Sequence, residues 1–309
     1  SEYLKNFCIK NFIQVSNNKN ISLHNYNKFY FIKKENYNNL EANIGIKYIN
    51  NLYKKIPNFM FTYKCTEKYL YLEYIKGIEF QTWLKDSFDF DKYIFILLQL
   101  TLAIQVAQSH CDFVHFDLSP WNIILYEYPE EIDVFYQLKN SNTFIKIKTK
   151  LVPVIIDYGK SSVQNFTPTF TTKHNPIFDI LTLIIKSINT ILLNNITDHI
   201  FSQLLSIIYF FNNIIPSFSN IFSFRKYLNT RSKYDNLLNF IPTRFNKNIL
   251  DFFTHLTNNF TLIYHTIDFP SINISHYYKF NYNLLINNNI KFVNFKTNIP
   301  KGSTPFNSL

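Results

Sequence analysis

Apolar and polar positions divide the chain into a strand-rich front and a helix-rich back. Up to about residue 75, "NFIQV", "KFYFIKK" and "YLYLEYI" combine β-branched and aromatic residues in short runs that predict strands. Between them, "NNLEANIGIKYINNLYKKI" sets Leu40, Ile44, Tyr48 and Leu52 at helical spacing and predicts a helix ended by Pro57. The front therefore reads as a small sheet with one covering helix. After Lys76–Gly77, "FDKYIFILLQLTLAIQVAQSH" places Ile94, Leu97, Leu98, Leu102 and Val106 on one helical stripe. Short strands follow at "FVHF", "NIILYEY", "FIKIKT" and "VPVIIDYG", and helical periods return from Asn175 to Asn259. The most apolar run, "FDILTLIIKSINTILL", is interrupted by Asp179, Lys186 and Asn189 and predicts a buried helix. Residues 260–309 carry no period that places them. The expected class is α+β, with a division near residues 73–77.

Composition adds bounds to this pattern. With 47% apolar and 17% charged residues, the 309-residue chain has enough apolar content for a packed core and is not a disordered polymer. The net charge of +10 comes almost wholly from lysine, since arginine occurs only at Arg225, Arg231 and Arg244. Such a surface favours anionic partners in general. The charges are scattered instead of clustered, which argues against a nucleic-acid partner. Cys8, Cys65 and Cys111 show no metal-ligand spacing, so neither a zinc site nor a structural disulfide is expected, and a reducing, cytoplasmic setting is. "LQLTLAIQVAQ" reads as too polar to span a bilayer, and no membrane association is expected. The chain opens on Ser1 without a secretory signal pattern, and its start is expected to be processed or truncated.

The chemistry-bearing stretch is "FVHFDLSPWNIIL". It sets His115, Asp117 and Asn122 in the order H-x-D-L-x-x-x-N, and "VIIDYGKS" later supplies Asp157-Tyr158-Gly159. Phosphoryl transfer needs a carboxylate to orient the attacking hydroxyl and oxygen ligands to hold Mg²⁺ on the phosphates. A loop Asp, an Asn five residues later and an Asp at the end of an apolar strand are the residue types that do this. Taken singly, each is also an ordinary turn-former, cap or core histidine.

Together these motifs resemble the protein-kinase-like superfamily, over roughly residues 10–190. The resemblance implies a β-rich N-lobe over residues 1–75 and a mostly helical C-lobe over 76–309, with an insertion or extended ribbon around 126–150. It implies Asp117 as catalytic base, Asn122 and Asp157 as Mg²⁺ ligands, and His115 packed beneath the loop. In "FYFIKK" it implies a phosphate-binding lysine. Strand alternation favours Lys33, which faces the same way as Phe31, with Lys34 and Lys28 as rivals. Glu41 in "LEANIG" is the implied partner of that lysine, and Glu35 is its rival. "YLYLEYIKG" resembles the hinge, where Glu73 and Ile75 would offer backbone groups to adenine and Leu72 would back the pocket. Asp179 resembles a helix Asp that hydrogen-bonds the catalytic-loop backbone. ATP and Mg²⁺ are the implied cofactors, and a protein bearing Ser or Thr hydroxyls is the implied substrate.

The pattern also departs from the family. No glycine lies in "QVSNNKNISLH", residues 14–24, where a glycine-rich loop would cover the phosphates. Phe116 replaces an Arg that commonly reads an activation-loop phosphate. Ser119 stands where many members carry a lysine that contacts the transferred phosphate. The segment from Gly159 to Asp179 is short and lacks A-P-E. These departures resemble the divergent kinases encoded by large DNA viruses, acting in host cytoplasm or virion. They also keep two alternatives open: a pseudokinase that binds nucleotide or scaffolds a partner, and a small-molecule kinase of the aminoglycoside or choline type.

Overall fold

In the computed structural model of the chain the described residues are 13–18, 21–26, 29–53, 55–138, 143–164, 177–218, 220–231 and 246–268. Cys8, Lys28, most of the stretch between Gly159 and Asp179, and residues 269–309 lie outside them. The fold is α+β with two antiparallel sheets, and the described residues fall into two compact units, one within Ser1–Lys76 and one within Gly77–Pro270.

The first unit is a five-stranded sheet of β1 (Ile13–Asn18), β2 (Ile21–Tyr26), β3 (Phe29–Glu35), β4 (Thr62–Cys65) and β5 (Tyr69–Glu73) in the order β1-β2-β3-β5-β4. The described residues of the glycine-free segment 14–24 lie in the antiparallel β1–β2 pair. Neither β2 nor β4 stands out in the sequence, because both are short and polar at alternate positions. The expected helix forms in three consecutive pieces: α1 (Asn39–Asn43), a π-helical stretch Ile44–Ile49 and α2 (Asn50–Tyr53). Asn38 caps its start by accepting from the Glu41 amide. The Asn50 side chain fixes it to β4, donating to the Thr62 carbonyl at 2.8 Å and accepting from the Thr62 amide at 3.0 Å. Gly45 is required at that contact, because a Cβ there would overlap the Thr62 side chain. This fastening determines where Glu41 stands.

The second unit opens on Gly77, where a Cβ would strike the Leu125 carbonyl, and on β6 (Ile78–Glu79), which pairs with β7. Then come α3 (Phe80–Asp86) and α4 (Phe90–Cys111). The single apolar stripe expected of α4 is a correction point, since the helix is buried on all sides, Gln99, Thr101 and Gln105 included. Gln99 is accommodated by donating to the Leu151 carbonyl at 3.0 Å. The expectation that this segment is too polar for a bilayer is also corrected. By length and composition α4 is apolar enough to cross one, but 78% of its most apolar window is buried inside the unit, as a core helix would be.

"FVHF" forms no ladder strand, only an isolated bridge between Val114 and Ser162. "FIKIKT" and "VPVIIDYG" contribute to one long strand, β8 (Thr143–Ile155), antiparallel to β7 (Ile123–Gln137) across a register shift between Glu127 and Ile132. The described residues of 126–150 therefore lie in an extended two-stranded ribbon. β9 (His265–Asp268) adds to its edge. The helices α5 (Ile177–Ile191), α6 (Asp198–Ile208), α7 (Ile221–Arg231) and α8 (Ile249–Asn259) complete the unit. A buried hydrogen bond of 2.6 Å between the Tyr93 and Ser187 hydroxyls ties α4 to α5.

Candidate active site

The turn from His115 to Asn122 connects the end of α4 to β7, and its backbone is held in a conformation that the sequence alone does not favour. Phe116 has φ 61°, in the left-handed region, without being glycine. Asp179, at the start of α5 and fully buried, stabilises this turn. Its Oδ2 accepts from the His115 amide at 2.7 Å and its Oδ1 from the Phe116 amide at 2.9 Å. Burial pushes the Asp179 carboxyl up to about 7, against the pull of those two amides. Phe116, 2% exposed, packs on Phe178 with ring centroids 5.9 Å apart. The ring occupies apolar space where an Arg side chain would be costly.

His115 lies beneath the turn. Its Nε2 is 2.9 Å from the Ile156 carbonyl and its Nδ1 is 3.3 Å from the Asp117 amide, so Nε2 carries the hydrogen and Nδ1 accepts. Burial holds its pKa below the usual histidine value. Tyr158 packs edge-on against it at 6.3 Å and donates to the Ile155 carbonyl at 3.0 Å. Asp157, just before, has φ 61°, a second left-handed residue that is not glycine. Its carboxylate accepts from the Gly159 amide at 3.4 Å. Strained backbone of this kind persists where surrounding contacts over-determine it, and it concentrates at functional sites.

The side chain of Asn122 donates through Nδ2 to the Asp117 carbonyl at 2.8 Å, which leaves Oδ1 as the amide atom for a ligand. The Asn122 carbonyl accepts from the Ile156 amide at 3.0 Å, joining the turn to the strand end that presents Asp157. His115 feels the charges of both Asp117 and Asp157. Asp117 and Asn122 are thus hydrogen-bonded to one another beside His115, and Asp157 follows Ile156, whose amide and carbonyl bond Asn122 and His115. An amide oxygen and a carboxylate are hard donors that suit Mg²⁺.

Two lysines that sequence reasoning did not single out complete the cluster. Lys160 Nζ is 3.0 Å from Asp117 Oδ2, and Lys186 Nζ is 3.4 Å from Asp117 Oδ1. Burial would raise the Asp117 pKa, but the two ammonium groups outweigh it and the net shift is downward. Ser119 donates to Asp117 Oδ1 at 3.2 Å and lies 2.6 Å from Lys186 Nζ. The signal for Lys186 was present in the sequence: a lysine inside the most apolar run of the chain, from 179 to 186 two helical turns beyond Asp179.

In the first unit the partner of Glu41 differs from the expected Lys33. Glu41, 3% exposed, pairs with Lys34, whose Nζ is 2.7 Å from Oε1 and 2.9 Å from Oε2. Lys33 instead stands over the Tyr69 ring, 3.7 Å from its centroid. Alternation along β3 pointed to Lys33 because it assumes that the helix covers the Phe31 face, whereas the fastened helix presents Glu41 to Lys34. Glu35 pairs in register with Tyr69 at the end of β3. Leu72 and Ile75 are buried. Glu73 is turned into the core. Its Oε2 accepts from the Phe61 amide at 2.9 Å and its Oε1 from the Tyr53 hydroxyl at 3.3 Å, and burial raises its carboxyl to about 8. The Glu73 amide is itself committed to the Phe61 carbonyl at 2.9 Å, so that donor is not on offer to a base.

No protein-family profile matches the chain. It is 41% identical over 144 residues to uncharacterized protein 179R of Invertebrate iridescent virus 6, covering 40% of this chain and 12% of that protein. It is 30% identical over 188 residues to uncharacterized protein 035R of Invertebrate iridescent virus 3, covering 48% of this chain and 17% of the relative. A more distant relative, 27% identical over 186 residues, is "Probable kinase 098L" of the same virus, with 55% of this chain and 34% of that protein covered. The chain thus spans well under half the length of each of these relatives. All three are iridovirus proteins, which agrees with the viral character expected from the sequence.

Proposed function

We propose that the chain is a divergent phosphotransferase domain with a two-lobed, kinase-like fold, which uses ATP and Mg²⁺ to phosphorylate Ser or Thr hydroxyls of a protein. The observation that carries this reading is the cluster around His115. A buried aspartate clamps the strained turn that carries Asp117 and Asn122, and the Asn122 carbonyl accepts from the amide of Ile156, the residue before Asp157. The name of the distant iridovirus relative points the same way. The five-stranded sheet with its single helix agrees with the small lobe that the resemblance implies.

On this reading Asp117 accepts a hydrogen bond from the acceptor hydroxyl and takes its proton as the oxygen–phosphorus bond forms and the bond to the ADP oxygen breaks. Lys160, about half exposed, leaves Asp117 Oδ2 readily, because its ammonium regains water when it moves. Asn122 and Asp157 would hold Mg²⁺, which neutralises phosphate charge when bound. Lys34, positioned by Glu41, replaces Lys33 as the lysine assigned to the nucleotide phosphates.

A scaffolding role without turnover is the second reading. It is favoured by the lysine on each oxygen of Asp117 and by the glycine-free segment 14–24. Purified protein given labelled ATP, Mg²⁺ and a mixed protein substrate separates the two. Transfer should fall by about a hundredfold to ten-thousandfold in Asp117→Asn. A melting-temperature rise with ATP but no transfer by the wild type would favour the scaffold.

A further inference from the structure

Lys186 is buried to 7% exposure inside the most apolar helix of the second unit, and its surroundings only partly compensate its charge. Its nearest polar neighbour is neutral, the Ser119 hydroxyl at 2.6 Å. The carboxylate oxygen it reaches, Asp117 Oδ1, is 3.4 Å away and belongs to a group already paired with Lys160. Among the described residues the ammonium also meets the face of Trp121, 4.4 Å from the ring centroid. Burial, with the Lys160 charge adding to it, outweighs Asp117 and holds the Lys186 pKa below the usual lysine value. Of the nearby carboxylates, Asp179 is committed to two backbone amides and cannot offset this charge directly.

An apolar residue at position 186 would fill the same space at lower cost to stability. The geometry therefore requires another explanation for a cation here. We infer that Lys186 contacts the phosphoryl group in transit to the acceptor hydroxyl, supplying from α5 the positive charge that the turn, with Ser119, does not carry. The inference rests on the phosphotransferase reading above. It names a residue outside the H-x-D-L-x-x-x-N pattern. Besides the packing of Phe116 on Phe178, polar contacts join the turn to the helix at two points among the described residues, Asp179 to the His115–Phe116 backbone and Lys186 to Ser119 and Asp117. A cation at the second point is therefore held in fixed register with Asp117. During transfer, negative charge is spread over the equatorial phosphoryl oxygens, and a preorganised ammonium stabilises it without reorganising at that moment. Trp121, 40% exposed, covers one side of that ammonium and limits its hydration.

The test moves the charge between the two elements. In transfer assays at saturating ATP, Lys186→Met should lower kcat about a hundredfold, with KM for ATP changed less than a few-fold. It should melt no lower than the wild type, because a buried charge has been removed. Adding Ser119→Lys to that variant should recover at least about a tenth of the lost rate, since a lysine at 119 starts beside the same ammonium position. Should Lys186→Met fail to fold, Lys186→Arg and Lys186→Gln carry the comparison, and a rate that follows charge supports the inference. A Lys186→Met enzyme as fast as the wild type, while Asp117→Asn is inactive, overturns the inference and leaves the phosphotransferase reading standing. The inference also fails if the kcat loss comes with a matching loss of melting temperature and no recovery by Ser119→Lys. An inactive wild type overturns both.

Discussion

Each unit buries a carboxylate that holds backbone amides, but the two are used differently. In the first unit Glu73 accepts from the Phe61 amide and Tyr53 at the end of a regular strand, next to backbone in ordinary conformations. Among the described residues neither of its hydrogen-bond partners, Tyr53 and Phe61, has left-handed backbone, and the carboxyl, raised to about 8, is protonated over most of the neutral range. In the second unit Asp179 holds a turn with a left-handed phenylalanine, beside an aspartate and two lysines whose charges remain exposed to one another. The first arrangement stabilises a sheet. The second maintains a geometry that would otherwise relax, which is expected of a site and not of a core.

Removing the clamp should have the largest effect. Asp179→Ala leaves two buried amides without acceptors and frees the strained turn, for a loss of roughly 3–5 kcal/mol. Trp83 and Trp121 both lie in the second unit, so urea unfolding followed by tryptophan fluorescence reads this directly. An unchanged midpoint would show that the turn holds itself and would erase the contrast.

The pH dependence of the first unit sharpens the comparison next. The folded pKa of Glu73, about 8, lies above its ordinary value of 4.5, so between these limits the unfolded chain binds fewer protons than the folded one. Its contribution is fully present below about pH 4.5 and is lost as pH rises through about 8. Glu73→Gln keeps an acceptor for the Phe61 amide and offers an N–H to the Tyr53 hydroxyl, which then accepts instead of donating, and it should flatten that decline by a few kcal/mol at most. Amide exchange within β5, measured at pH 5 and pH 8, is the appropriate readout. A decline of the same size in the variant would remove Glu73 as its cause.

The smallest effect separates two adjacent lysines. Lys34→Met removes the ammonium paired with the buried Glu41 and should cost roughly 1–3 kcal/mol, at the lower end because Lys34 is partly solvated. Lys33→Met removes a half-buried contact with the Tyr69 ring and should stay within about 1 kcal/mol. Equal losses on thermal unfolding would undo the reassignment of the pair.

Sequence by itself determined the α+β class, the strand-rich front, the long buried helices and the order of His115, Asp117, Asn122 and Asp157. Periodicity and motif spacing are local properties, and each survives without knowledge of what packs where. The clamp of Asp179 on the turn was legible too, through resemblance. Only the tertiary structure decided that Lys34 and not Lys33 meets Glu41, because the choice depends on how Gly45 and Asn50 seat the helix on Thr62. Only it brought Lys186 and Lys160 to the two oxygens of Asp117, from positions 69 and 43 residues away in the chain. Contacts over such separations leave no periodic trace, since the energy that selects them comes from burial of the whole helix and not from the residue that ends up at the site.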